Sequence, residues 1–108
     1  MASTVSAELN EQQALEAAKF LQAIAHPKRL LLLAVLSNRQ LSAGRLAAAV
    51  GLPSGMVYKH LHKLVEIGVL SVNVKAAGMR FSIASPEIVI SLVKIQAALA
   101  AQITANLG

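Results

Sequence analysis

The stretch LPSGMVYKHLHKLVEIGVL, residues 52–70, decides how the rest of the chain is read. Val57, Leu61, Leu64 and Val65 recur at the period of one buried helix face. Tyr58, Lys59, His62 and Lys63 fall on the other side and make a basic, polar face. Just upstream, LSAGRLAAAVG (residues 41–51) reads as a shorter helix, with Ser42 as N-cap and Gly51 at its C-terminal end. Two helices joined by the tight Gly51-Leu52-Pro53 turn form a helix-turn-helix, whose second helix can enter a DNA major groove. Downstream, LSVNVKAAGMRFSIA (residues 70–84) reads as a β-hairpin. Val72 and Val74 alternate on one strand and Phe81 and Ile83 on the other, with Ala76-Ala77-Gly78 as the tip. Such a hairpin makes the motif winged.

Residues 1–7 are small and polar and read as a loose tail, leaving one domain over 8–107. A first helix is expected from about Glu8 to Ala25, with Leu15, Ala18, Leu21 and Ile24 as its stripe and Ala14, Ala17 and Phe20 widening it. His26-Pro27 ends that helix and starts the next, because proline suits a first turn. The second helix, Pro27–Leu36, is apolar nearly all round after Arg29 and belongs in the core. Ser37-Asn38-Arg39-Gln40 is a polar link. Gly68 closes the helix of the opening stretch, and Ser85-Pro86-Glu87 starts a last helix over about Pro86–Asn106.

That last helix carries more apolar surface than a solvent-facing element tolerates. Ile88, Leu92, Ile95 and Leu99 form one stripe, and Ile90, Ala97, Ala101 and Ile103 leave little polar face. One side can cover the protomer's own core, and a second copy is the simplest cover for the rest. A chain of 108 residues has little core of its own, which favours the dimer over a longer intramolecular contact with the first helix. The expected interface is Leu15, Leu21, Ile88, Leu92, Ile95, Leu99 and Ile103. The expected fold is mainly α with a small β-hairpin. It is a winged helix-turn-helix of four helices, hairpin and fifth helix, dimeric through the terminal helices.

Lysine and arginine number 10 against 5 acidic residues, a net charge of +5. That balance favours an anionic partner and equally fits a merely basic soluble protein. The chain has no cysteine, which removes disulfides, thiolate metal sites and thiol redox sensing together. Glu8, Glu11 and Glu16 interrupt any leader-like apolar run, and no basic n-region precedes them. The longest uninterrupted apolar run, Leu30–Leu36, is far too short to cross a bilayer. The expectation is a cytoplasmic protein with no membrane partner.

In the helix of the opening stretch, Ser54, Gly55, Tyr58 and Lys59 lie early, where groove-entering helices meet base edges. Lys59 can donate to guanine and Ser54 can bond either base type, while Gly55 allows close backbone approach. Tyr58 has two readings: a ring against sugar or a thymine methyl, or an amphipathic side chain packed over the helix edge. Pro53 suggests that the helix starts one residue later with Ser54 as cap, which weakens Ser54 as a reader. His62, Lys63, Lys75, Arg80 and Arg45 are candidate phosphate contacts, which set affinity and register rather than sequence. The plain alternative for these five is solvated surface charge. Lys28 and Arg29 open the second helix; Arg29 either anchors the fold or touches phosphate, and the structural reading is favoured.

His60 and His62 are two apart on a helix and point in different directions. His60 reads as a core-edge residue and His26 as a cap, so a metal site lacks its ligands. Met1, Met56 and Met79 form no cluster. With no Cys and no Asp, neither a Cys-His nor a Ser-His-Asp set is possible, and nothing brings two of the five Glu together. No catalytic, metal or cofactor site is expected.

The segment AIAHPKRLLLLAVL, residues 23–36, resembles the start of the ArsR/SmtB family of bacterial winged-helix repressors. QLSAGRLAAAVGLPSGMVYKHLHKLVEIGVL, residues 40–70, resembles that family's helix-turn-helix, with His60-Leu61 and Glu66-Ile67-Gly68-Val69 at its "HL" and "eaGLv" positions. The resemblance runs from about Leu15 to Leu107. It implies a homodimer that binds double-stranded DNA at an inverted-repeat operator, usually represses, and is loosened by an inducer. The family's familiar sensing chemistries are missing. Arsenic and cadmium sensors carry two Cys where this chain has Ser42 and Gly44. Zinc and nickel sensors carry Asp, His or Glu sets on a last helix that here holds only Glu87. A thiol-sensing branch has Cys in helix two, where this chain has Ala34, and another in the last helix. The resemblance therefore leaves three readings open: a constitutive regulator, one released by an unfamiliar small-molecule or chemical inducer that is not a thiol-bound metal, or an engineered Cys-free form. Two other classes stay open: a winged-helix module that binds a protein or RNA, and a small-molecule carrier using the apolar interface.

Overall fold

The structure, a computed structural model, describes residues 9–107; the expected tail at 1–7 lies outside the described residues. The elements follow the order α1 (Glu11–Ile24), α2 (Pro27–Val35), α3 (Ala43–Val50), α4 (Ser54–Glu66), β1 (Leu70–Lys75), β2 (Gly78–Ile83) and α5 (Pro86–Leu107). This is the winged helix-turn-helix order, mainly helical with one antiparallel hairpin.

Local chemistry explains most boundaries. Helix α1 begins after Asn10, not at Glu8. Asn10 Oδ1 accepts from the Gln13 N–H at 2.8 Å, and Gln13 Oε1 accepts from the Asn10 N–H at 3.0 Å. This reciprocal capping box satisfies two donors that a helix start leaves unpaired. His26 caps α2 as expected, its Nδ1 accepting from the Lys28 N–H at 3.2 Å. Ser42 caps α3 through the Arg45 N–H at 3.3 Å. Gly51 ends α3 at φ +67°, a left-handed conformation that glycine adopts without Cβ strain.

The start of α4 corrects one expectation. Pro53 occupies the N-cap position, no side chain caps the helix, and Ser54 is the first helical residue rather than the cap. The extended backbone of Pro53 (φ −60°, ψ 140°) turns its carbonyl into the helix, where it accepts from the Met56 and Val57 N–H groups, both at 3.1 Å. Proline supplies the boundary through its fixed φ.

One core ties α2, α3, α4 and the hairpin together. Leu32, Leu36, Leu46, Val57, Leu61, Leu64 and Val69 are all less than 2% exposed, and Ile24, Leu33, Leu70 and Phe81 join them. Burying each large side chain contributes about 1.5–3 kcal/mol. The hairpin is anchored to α3's approach: Leu41 and Phe81 exchange backbone hydrogen bonds of 2.8 and 3.1 Å.

The hairpin departs from expectation at its outer end. Lys75 pairs with Gly78, so the turn is Ala76-Ala77 alone and Gly78 is the first residue of β2. Its φ of +119° lets the chain reverse in two residues. Leu70, Val72 and Val74 face Ile83, Phe81 and Met79 across the ladder. Only the base of this apolar face is covered. Leu70 and Phe81 are buried, whereas Val72 and Val74 are 40% and 73% exposed.

Helix α5 has 22 residues, about 33 Å at 1.5 Å per residue, and none of them is buried. Ile88 and Leu92 rest on the edge of the core, while Ile95, Leu99 and Ile103 are more than half exposed. By length and composition α5 is apolar enough to cross a membrane, with only Glu87 and Lys94 charged. Ser91, Lys94 and Gln96 break its apolar run without removing the hydropathy. In α1 only Ile24 is buried, with Phe20 packed beside it, and Leu15 and Leu21 are about half exposed.

Candidate nucleic-acid interface

Helix α4 divides cleanly by face. Val57, Leu61 and Leu64 are fully buried, and Ser54, Gly55, Met56, Tyr58, Lys59 and His62 are exposed. The four residues expected to read bases thus lie together on the outward surface of its first turns. With Pro53 at the cap position, the Ser54 hydroxyl is not spent on a cap. Sequence reasoning passed over Met56, which is 44% exposed beside them. A methionine reads as core by type; its place one residue before the buried Val57 was the signal that it faces out.

Tyr58 lies between its two readings. Its ring sits 5.1 Å from that of His62, tilted by 50°, and both line a small cleft with Val65, Val72, Met79 and Phe81. The ring therefore borders the apolar face of the hairpin while the residue stays 37% exposed.

The candidate phosphate contacts lie in three places. Lys75 and Arg80 belong to the hairpin face opposite the apolar one, Arg80 across from Asn73 and Lys75 at the last pair before the turn. Arg45 is exposed on α3. Lys63 is on another flank of α4 from His62. It lies 3.5 Å from Glu66 and borders a cleft with Lys19 and Phe20 of α1. The Lys63–Glu66 pair is solvent-exposed and contributes little to stability.

On the inner side of α4, Arg29 and His60 form a contact that spacing along the chain did not reveal. Arg29 Nε donates to His60 Nδ1 at 3.1 Å, and its Nη1 donates to the Ala23 carbonyl at the end of α1. The His26 ring meets the His60 ring edge-on at 4.7 Å. Arg29 is structural, as its sequence position suggested, and His60 is the core-edge residue expected. Burial holds the His60 imidazole below its ordinary pKa, and the positive charges of His26, Arg29 and Lys28 add to the effect. Among the described residues, no three His, Cys, Asp or Glu side chains gather as a metal-ion set.

The expected interface residues lie on α1 and α5. Leu15, Leu21, Ile95, Leu99 and Ile103 are exposed, and Ile88 and Leu92 are half-buried against the core. Between α2 and α5 runs an apolar groove of about 410 Å³, with Leu33, Ala34, Leu92, Ile95 and Leu99 in its walls.

A helix-turn-helix domain profile matches residues 24–73, the span from the end of α1 into β1. The crystal structure of NolR from Sinorhizobium fredii is 37% identical with a TM-score of 0.69, over 83% of this chain and 86% of that one. This chain belongs to the ArsR/SmtB family of winged-helix transcription regulators. The structure of Rv0081 from M. tuberculosis is also similar, with 30% identity and a TM-score of 0.82 over 92% of this chain and 99% of that one. The nodulation protein NolR of Rhizobium meliloti is 39% identical over 69 residues, which span 64% of this chain and 57% of that protein. The ArsR/SmtB family consists of DNA-binding transcription regulators rather than enzymes.

Proposed function

We propose that this chain acts in the cytoplasm as a homodimeric, sequence-specific DNA-binding regulator that represses from an inverted-repeat operator. The observation that carries this reading is the division of α4. Its apolar stripe is fully buried, and Ser54, Gly55, Tyr58 and Lys59 are presented together on the outside. In this reading α4 enters the major groove, Lys59 and Ser54 meet base edges, and Tyr58 lies along the sugar edge with its ring against the hairpin. His62, Lys75, Arg80 and Arg45 meet phosphates, and Lys63 does so from the flank next to α1.

The dimer follows from α5, whose exposed Ile95, Leu99 and Ile103 need a cover that a second copy's α1 and α5 provide. Two α4 helices then meet successive grooves about 34 Å apart. A ligand or chemical signal that favours another spacing of the pair releases the operator without touching DNA. With no cysteine in the chain, that signal is not a thiol-bound metal.

The test is recovery of sheared genomic DNA of the source organism on purified protein at physiological salt, followed by sequencing. A few enriched fragments sharing an inverted repeat are expected. Uniform recovery means phosphate-driven binding only, and no recovery turns the reading toward a protein or RNA partner.

A further inference from the structure

Among the described residues, one side-chain hydrogen bond ties the recognition helix to the α1–α2 junction, and that contact works only while one imidazole is neutral. His60 Nδ1 accepts from Arg29 Nε at 3.1 Å, so in this arrangement Nδ1 carries a lone pair and no proton. Arg29 in turn donates to the Ala23 carbonyl at the end of α1. One guanidinium thus joins the last turn of α1, the first turn of α2 and the middle of α4. The neighbouring apolar residues Val57 and Leu61 are fully buried, so the rest of the seat is non-directional packing.

We propose that neutral His60 is the positioning residue that fixes the recognition helix, through Arg29, to the α1–α2 junction, and that protonation of His60 loosens this seat. A proton on Nδ1 removes the acceptor and leaves an imidazolium facing the Arg29 N–H it used to bond. The charged and titratable groups bearing on His60 are His26 from the junction and Lys28 and Arg29 from α2. All are cationic or become so on protonation, and no carboxylate among them offsets a new positive charge. His26 meets the same ring edge-on at 4.7 Å and uses its own Nδ1 as a helix cap.

The sign follows from linkage. The folded state holds the His60 pKa below the ordinary value of 6.5, so the unfolded chain binds the proton more readily. The stability contributed by neutral His60 is complete above pH 6.5. It is lost progressively as pH falls from there toward the lowered folded value. That a looser α4 reads its operator less well rests on the function proposed above. The positioning does not, and it is tested on the free protein.

The experiment follows amide hydrogen exchange of α4 and the pKa of each histidine by NMR, on the full chain between pH 5 and 8. Wild type, His60→Asn, His60→Ala and His26→Asn are compared. Asparagine sets an unprotonatable acceptor near the Nδ1 position. Expected for wild type is a several-fold fall in α4 protection, corrected for intrinsic exchange, as pH drops below 6.5, with His60 titrating below its ordinary value. His60→Asn keeps protection and loses the pH slope. His60→Ala is less protected at every pH and also flat. His26→Asn retains the slope. A wild type without the slope, or a His60→Asn protein that keeps it, overturns the proposal.

Discussion

Helices α4 and α5 are both rich in apolar residues, yet the fold treats them in opposite ways. In α4 the stripe Val57, Leu61 and Leu64 is fully buried within one chain, and what remains exposed is polar or basic apart from Met56 and Gly55. In α5 no residue is buried, and Ile95, Leu99 and Ile103 stand more than half exposed. A helix whose apolar face is satisfied intramolecularly is free to present its other face to a different class of partner. A helix that remains apolar after folding is completed by another apolar surface. In the function proposed above, the two helices divide the work: α4 faces nucleic acid and α5 faces a second copy.

The contrast can be broken most severely at the core side of α4. Leu61→Ala is expected to cost about 2–5 kcal/mol and to unfold the domain cooperatively, measured by urea denaturation. A loss below about 1 kcal/mol means α4 is not seated as described. Next is α5. Leu99→Glu with Ile103→Glu is expected to leave the helical circular dichroism intact and to convert the protein to monomer at micromolar concentration in light scattering. An unchanged mass moves the interface elsewhere.

The outward face of α4 comes third. Lys59→Glu with Tyr58→Ala is expected to abolish enrichment of operator fragments, a loss of about 2 kcal/mol or more in specific binding, with the dimer intact. Operator binding that survives removes α4 as the reading helix. The smallest effect is expected on the hairpin. Lys75→Ala should weaken binding alike for all sequences and lower the slope of log K against log salt by about 1. A sequence-dependent loss would make the hairpin a reader rather than a clamp.

What the sequence disclosed follows the range of the interactions involved. The Val57, Leu61 and Leu64 stripe, the Ser42 and His26 caps, Gly51 and the Pro27 start all rest on neighbours within a few residues, and each is in place. The Asn10–Gln13 capping box is equally local. Its Asn-x-x-Gln spacing marks a helix start at Glu11, later than the Glu8 that the apolar stripe suggests. Ser54 looked like a cap because its type favours one; Pro53 held the boundary with its backbone alone. The Ala76-Ala77 turn was obscured because Gly78, a turn residue by type, supplies its positive φ from inside the strand pair. The Arg29–His60 contact spans 31 residues, and no local period encodes it. Exposure of Val72 and Val74 likewise depends on tertiary packing, which strand alternation does not encode.

The division between α4 and α5 is tested most directly by sedimentation equilibrium of the full chain over a range of concentrations, without DNA or detergent. A mass of twice 11.3 kDa, held down to low micromolar protein, is predicted. A single species of 11.3 kDa would mean that α5 is not completed by a second copy and would contradict the account.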